Sequence, residues 1–368
     1  MNWSVILLTY INLFTYGLLD NTRSALLPEL MQYFSLNHSQ IGLFFTIGSG
    51  LGLIVNLFAF WWLKKFSTIV PMRVSLLGSS LCALFLFLAG AHVNTIFFFI
   101  SFLCIGLSAP LSSICMNILV KGHSAEKNRA KIYAGLHSCY GLASFLAPLV
   151  IGIYTDWKYI YLCISLVFLG AFIYSFKFKI SQFAIARVAH LKSFPDRYKW
   201  ALVVGLYIPT EILLASRLTV ILQEKYLYSK IASEQYLGYF FLLLFLGRFI
   251  FSQVTPHKNL ERQLFLSVIC ALLFFLGAIF IHPIFFCLVG GALSFFYPMF
   301  MSRMSFKVGD HFEALSNFCI MATTISMTFF HFTLGKMFQA WGIGVSLYLF
   351  PALCLCLICS MARLFKQK

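Results

Sequence analysis

The chain has 368 residues, 61% of them hydrophobic and only 10% charged, far from the roughly 45–50% apolar and 25% charged of soluble domains. That balance excludes a soluble globular protein and points to a polytopic membrane protein. The net charge of +16 would suit nucleic acid in a soluble domain, but here the basic residues lie between apolar runs, where they orient a chain in the bilayer, so no nucleic-acid partner is expected.

Apolar runs of about 20 residues, the length that crosses roughly 30 Å of hydrocarbon, occur near 3–32, 40–63, 70–91, 95–120, 132–154, 159–176, 200–222, 235–254, 263–281, 283–306, 314–336 and 343–363. The expected fold is an all-α membrane protein of twelve transmembrane helices in two pseudo-symmetric six-helix bundles. Residues 1–176 form the first bundle, 177–199 a basic cytoplasmic linker and 200–368 the second. With both termini cytoplasmic, only Lys158, Lys225, Lys230 and Lys336 fall outside; Arg23, Arg217 and Arg248 lie within the membrane, and every other basic residue is inside, as the positive-inside rule requires. No signal peptide is read before the first run, which is too long and lacks a cleavage pattern. The expected setting is a plasma membrane, of the bacterial inner-membrane kind, with the protein a monomer in the lipid bilayer.

The first run contains GLLDNTRSALLP, Gly17 to Pro28. Read as one helix, it places Asp20 about 26 Å from one end and 21 Å from the other, near the bilayer midplane, where an ionisable group is costly and marks function. Asp20 and Arg23 are three apart and share a helix face. A local ion pair and a direct role in binding substrate or proton both fit, and Asn21 belongs to the same turn.

Asn37-His38-Ser39 matches a glycosylation sequon close to the membrane. In the fourth run Gly106, Pro110, Ser113 and Asn117 form one helical stripe. The fifth run carries His137, Tyr140 or Gly141, Ser144 and Pro148 in the same way. Such stripes also pack helices against each other, but together they imply a polar channel, and His137 could be protonated near neutral pH.

The seventh run places Glu211 about 16 Å from its start, again near the midplane. There a desolvated carboxylate takes up a proton unless a cation approaches; Glu211 is therefore the first candidate for proton coupling, and Asp20 the second. Arg217 lies some 120° around that helix and about 9 Å higher, so it need not pair with Glu211. Arg248, in the eighth run, reads as a pairing residue near the inner gate. Gly290, Gly291 and Ser294 precede Tyr297-Pro298 in the tenth run, a helix that can bend and present a hydroxyl. The eleventh adds Asn317, Met321, Thr324, Thr328 and His331 on one stripe.

Eleven cysteines stand singly in apolar runs and read as small core residues. The triplet Cys354, Cys356 and Cys359 has no His or carboxylate near it, so neither metal nor cofactor is expected. The halves echo one another: Gln40-Ile41-Gly42 with Phe44-Phe45 recurs as Gln235-Tyr236-Leu237-Gly238 with Phe240-Phe241, and Gly152 before Trp157 recurs as Gly335 before Trp341. A repeat of six spans is the signature of a two-halved transporter with its site at the interface.

Several stretches resemble the major facilitator superfamily, and within it the fucose-permease-like branch of sugar:proton symporters. They are Leu26-Leu27-Pro28, Phe34-Ser35-Leu36, Gln40-Ile41-Gly42, Leu63-Lys64-Lys65-Phe66-Ser67, Asn117 with Arg129, Leu136-His137-Ser138-Cys139-Tyr140-Gly141 with Pro148, Glu211, Gly247-Arg248 and Tyr297-Pro298. The resemblance implies gating roles for Lys64, Lys65, Arg129 and Arg248, although no Asp stands in the Lys64-Lys65 loop to form the usual ion pair. It also implies that the first and seventh spans face one cavity, where Arg217 or Arg23 approaches an acid. The branch's two proton-linked carboxylates are missing: Ser24 and Ser113 stand at the matching positions, so a coupled proton binds elsewhere.

The expected function is secondary active transport of a small polar metabolite, a sugar or related solute or an organic anion, coupled to protons. The expected substrate-binding set is Asp20, Asn21, Arg23, Ser113, Asn117, His137, Tyr140, Arg217, Tyr297, Asn317 and Thr324. An exporter of drugs or amphiphilic metabolites would suit the 43 phenylalanines, and a transporter-like receptor is the non-transport alternative. No GxxxxGK[ST] loop indicates ATP use, and no catalytic spacing such as HExxH indicates an enzyme.

Overall fold

Hydrocarbon offers no water to backbone N–H and C=O groups, so a spanning segment must satisfy them internally, as a helix does. The computed structural model describes residues 2–124, 126–154, 156–179, 196–253, 259–308 and 312–366, and among these every regular element is helical. The chain divides into two units, Met1–Ile185 and Ala186–Lys368. Most of the expected linker, 180–195, lies outside the described residues.

The first unit contains α1 (Trp3–Ala25), α2 (Leu27–Tyr33), α3 (His38–Leu57), α4 (Ala59–Lys65), α5 (Ile69–His92), α6 (Thr95–His123), α7 (Glu126–Ile153) and α8 (Trp157–Ser175). The second contains α9 (Arg197–Glu224), α10 (Lys230–Gln253), α11 (Leu260–Phe280), α12 (Phe285–Leu293), α13 (Phe296–Val308), α14 (Phe312–Trp341) and α15 (Ser346–Phe365). Eleven segments among the described residues are long and apolar enough to cross a membrane. The remaining expected span falls on α10, whose 24 residues reach about 36 Å.

Both units repeat one packing scheme. The first span packs on the fifth and sixth (α1 on α7 and α8; α9 on α14 and α15), the second on the fourth (α3 on α6; α10 on α12), and the third on the fourth and sixth (α5 on α6 and α8; α11 on α12 and α15). Lipid tails are as apolar as leucine, so close backbone approach and interhelical hydrogen bonds hold these pairs. Ser75 Oγ donates to the Ser108 carbonyl at 2.8 Å, and Ser80 and Ser165 donate to each other's carbonyls at 2.9 Å. In the second unit Ser267 Oγ donates to the Ala292 carbonyl at 2.5 Å.

Three expected continuous spans are broken. The first ends α1 at Ala25 and restarts as α2, because Pro28 at the new N-terminus has no N–H for the Ser24 carbonyl. The second breaks at Phe58, where the Trp62 indole Nε1 takes the Val55 carbonyl at 3.2 Å. The tenth breaks between Leu293 and Phe296, just ahead of Pro298, which leaves the Ser294 carbonyl without its helical donor. In the loop before α3, Asn37 is the N-cap of that helix: its side chain accepts the Gln40 N–H and Gln40 Oε1 accepts its own, each at 2.9 Å.

A Cβ on Gly106 of α6 would collide with the main chain of α3 at Gly48, whereas one on Gly170 of α8 would meet nothing within 4 Å. Gly106→Leu should therefore lower the stability of the purified protein by about 1–3 kcal/mol or block folding. Gly170→Ala should leave the unfolding midpoint in detergent unchanged.

Candidate functional site

In the first unit α1 approaches α7 closely at Gly17, where a Cβ would lie 2.9 Å from Ala143 Cβ and 3.1 Å from the Tyr140 carbonyl. This contact brings Tyr140 and Ser144 against the polar turn of α1. Arg23 Nη2 binds Asp20 Oδ1 at 2.5 Å, and the Tyr140 hydroxyl donates to Asp20 Oδ2 at 3.1 Å. The Asn21 amide is shared among the Gly17 carbonyl at 2.8 Å, Ser144 Oγ at 2.9 Å and the Tyr140 oxygen at 3.5 Å. Arg23 is buried, its guanidinium 5.4 Å from the Phe102 ring and 6.0 Å from that of Phe45, a cation–π setting that eases its burial. The Asp20 side chain keeps 32% of its exposure.

Tyr140 stacks on Tyr16 at 6.2 Å, and Tyr16 leads into a cavity of about 230 Å³ between α1, α6 and α7. Its polar lining is Tyr16, Ser112, Ser113, Asn117 and His137, with Leu13, Met116 and Leu136 supplying carbon. Asn12 Nδ2 holds Ser112 Oγ at 2.5 Å, and Asn117 Nδ2 donates to the Ser113 carbonyl at 2.9 Å. Ser113 and Asn117 of the fourth-span stripe thus share one cavity with His137 of the fifth, whereas Gly106 and Pro110 lie against α3.

The second unit builds a related cluster from different helices. Arg248 of α10 places Nη2 3.1 Å from both Glu211 oxygens, and Tyr207, one turn before Glu211 on α9, donates a short hydrogen bond to Glu211 Oε2. The broken tenth span joins in: Arg248 Nε donates to the Ser294 carbonyl at 3.3 Å, and the Tyr207 hydroxyl lies 3.2 Å from the Leu293 carbonyl. The Tyr207 ring stacks on Phe296 at 4.3 Å and on Tyr297 at 6.5 Å. Pro209 leaves the Gly205 carbonyl of α9 without a helical donor, and Ser326 Oγ of α14 supplies one at 2.5 Å.

The structure joins Asp20, Asn21, Arg23 and Tyr140 in one cluster, Ser113, Asn117 and His137 in the adjoining cavity, and Glu211 with Arg248 and Tyr297 in the second unit. Arg23 finds its acid on its own helix. Arg217, 1% exposed on α9, stands apart from the Glu211 cluster and within the field of Glu224, two turns on. Asn317 is exposed on α14, and Thr324 Oγ1 donates to the Ile320 carbonyl of its own helix at 3.0 Å. Lys65 lies 5.1 Å from the Trp61 ring; the side chains of Lys64 and Arg129 lie outside the described set. Sequence reasoning missed Tyr16 and Tyr207. The spacing of four between each tyrosine and its acid was the available signal, because it puts both on one helix face.

Asp20→Asn removes the counter-charge of a buried guanidinium and should destabilise the protein by about 3–5 kcal/mol. The Asp20→Asn, Arg23→Gln double variant should recover part of that loss, which a double-mutant cycle of unfolding in detergent measures.

Residues 9–317 match the sequence model of the Major Facilitator Superfamily. No curated protein sequence matches the chain. Among solved structures, a D-xylose–proton symporter superposes with a TM-score of 0.77 at 11% identity, over 99% of this chain and 97% of its own. The E. coli fucose:proton symporter FucP gives 0.66 at 17%, over 99% and 98%, and the human organic anion transporter MFSD10 (TETRAN) gives 0.71 at 12%, over 97% and 99%. With the helical pairing repeated in both units, the match over most of its length establishes that the chain belongs to the major facilitator superfamily, as a multi-pass membrane transporter.

Proposed function

We propose that the protein is a proton-coupled secondary transporter that carries a small uncharged polar solute, a sugar or related metabolite, by alternating access. The observation that carries this reading is the cavity beside the Asp20 cluster. Hydroxyls, an amide and an imidazole line it, groups that exchange hydrogen bonds with a polyhydroxylated solute, while the neighbouring Arg23 is already held by Asp20. An anion would have to displace that carboxylate. About 230 Å³ lies below the roughly 300–1,000 Å³ of sites for drug-sized ligands, and among the described residues no phenylalanine lines it, which favours a small polar solute over an amphiphile.

Ser113, Asn117 and His137 contact the solute, and Tyr140 with Tyr16 links it to Asp20 and Arg23, whose pair serves as a gate. Asn21 holds Tyr140 and Ser144 in place. Arg217, Tyr297, Asn317 and Thr324 are further candidates for substrate binding, on the second unit, and Lys64, Lys65 and Arg129 act at the membrane edge. Glu211 carries the proton. Its ion pair supports this role, because a proton that neutralises the carboxylate also releases Arg248, so binding of the proton and opening of the pair are one event. Both termini are cytoplasmic, in an inner-membrane setting, and the transporter works as a monomer.

Uptake into proteoliposomes with and without an inward proton gradient tests this reading, once thermal-shift screening of sugars, organic acids and amphiphiles has found the solute. Glu211→Gln should retain solute counterflow but lose the acceleration by the proton gradient. Proton-driven uptake that survives Glu211→Gln would refute the assignment.

A further inference from the structure

The pair α5–α8 leaves one long apolar face exposed, with cations at one end of it. The seam between the two helices is marked by hydrogen bonds. Ser80 and Ser165 donate to each other's carbonyls, and Arg73 Nη2 donates to the carbonyls of Ser175 at 3.1 Å and Phe178 at 3.0 Å. Contacts that run from Arg73 to Ser175 and from Ser80 to Ser165 make the helices antiparallel.

Counted at about 100° per residue from Arg73, the exposed Val70, Val74, Leu77 and Leu81 lie some 40–100° around α5. Counted from Ser165 in the same sense, the exposed Leu166, Leu169, Ile173 and Phe176 lie about 20–100° around α8. In antiparallel neighbours a like rotation brings both stripes to the same side of the seam. Val70 to Leu81 rises about 16 Å and Leu166 to Phe176 about 15 Å, the depth of one leaflet in a hydrocarbon core of roughly 30 Å. Gly170 notches the second stripe between Leu166 and Ile173, where an added Cβ would meet nothing within 4 Å.

The end of the face where α5 begins and α8 stops is cationic. The Arg73 guanidinium lies 4.4 Å from the exposed Phe176 ring. Its Nη1 makes no hydrogen bond among the described residues and, unlike Nε, is not buried. Lys177 and Lys179 are exposed just past Phe176, with Lys177 Nζ 5.3 Å from the Tyr174 ring. Among the described residues none of these three cations is ion-paired. The stretches that supply both helices, 30–125 and 157–195, contain no Asp or Glu, so the counter-charge comes from outside them.

We propose that this face binds one anionic phospholipid, its phosphate held by Arg73, Lys177 and Lys179 and an acyl chain lying along the α5–α8 seam. The chemistry selects net negative charge. A zwitterionic lipid brings its own ammonium to a site that already holds three cations, whereas an anionic headgroup neutralises them. Arg73 also holds the last carbonyls of α8, so the lipid sits on the contact that joins the ends of the two helices.

Native mass spectrometry of the full chain in detergent, titrated with phosphatidylglycerol or with phosphatidylcholine of identical chains, tests the proposal. The parent should retain one phosphatidylglycerol in preference to phosphatidylcholine. A lysine beside an anionic headgroup contributes roughly fivefold, so the Lys177→Gln, Lys179→Gln double variant should weaken phosphatidylglycerol binding by about 25-fold. Both side chains are exposed, so the unfolding midpoint should stay at the parent value and separate lost binding from lost fold. Gly170→Phe, which fills the notch, should weaken binding as well. Equal retention of the two lipids, phosphatidylglycerol binding indifferent to either variant, or a dimer that covers the face in place of lipid would overturn the proposal.

Discussion

Of the three guanidiniums within the spans, Arg23 and Arg248 stand beside a carboxylate, and these two ion pairs organise the polar cluster of each unit. Arg23 and Arg248 each close on a carboxylate, Asp20 and Glu211, at 2.5 and 3.1 Å. In both clusters a tyrosine hydroxyl completes the carboxylate's shell. Removing two ions from water is costly, and their mutual attraction offsets that cost only when the geometry is good and the remaining lone pairs are bonded. The tyrosines meet the second condition, which makes them part of the electrostatics rather than incidental neighbours.

Helix architecture follows from the same need. A continuous helix keeps its carbonyls to itself, so a polar cluster on its flank must find donors and acceptors elsewhere. Proline solves this at three places by withholding an N–H. Pro298 leaves the Ser294 carbonyl to Arg248, Pro209 leaves the Gly205 carbonyl to Ser326, and Pro28 turns the chain just after the Asp20 cluster. Each of these prolines sits within two turns of an ionisable group.

Much of this was legible in the sequence. The runs of about 20 apolar residues and the placement of basic residues carried the fold class, because lipid imposes length and orientation directly. The Asp20–Arg23 pair was readable since three residues of helix fix it locally. Glu211 and Arg248 are 37 positions apart, and only the packing of α10 beside α9 unites them; the sequence marked each as anomalous in a membrane but could not pair them. The bend before Pro298 was announced by the proline, whereas the break at Phe58 depends on a tryptophan indole reaching back seven residues to Val55, which no composition rule signals. Tyr16 and Tyr207 were hidden for another reason: a tyrosine is ordinary in a membrane helix, and only its contact with a carboxylate or a cavity gives it a role.

In the proposed transport cycle the proton and the solute move together, with the charge pairs opening as they do. Its most direct test is the pH of the medium outside proteoliposomes when the transported solute is added, with no imposed gradient and a permeant counter-ion to dissipate voltage. The account predicts alkalinisation that tracks solute entry at a constant ratio. Solute entry of normal rate with no change in external pH would contradict it.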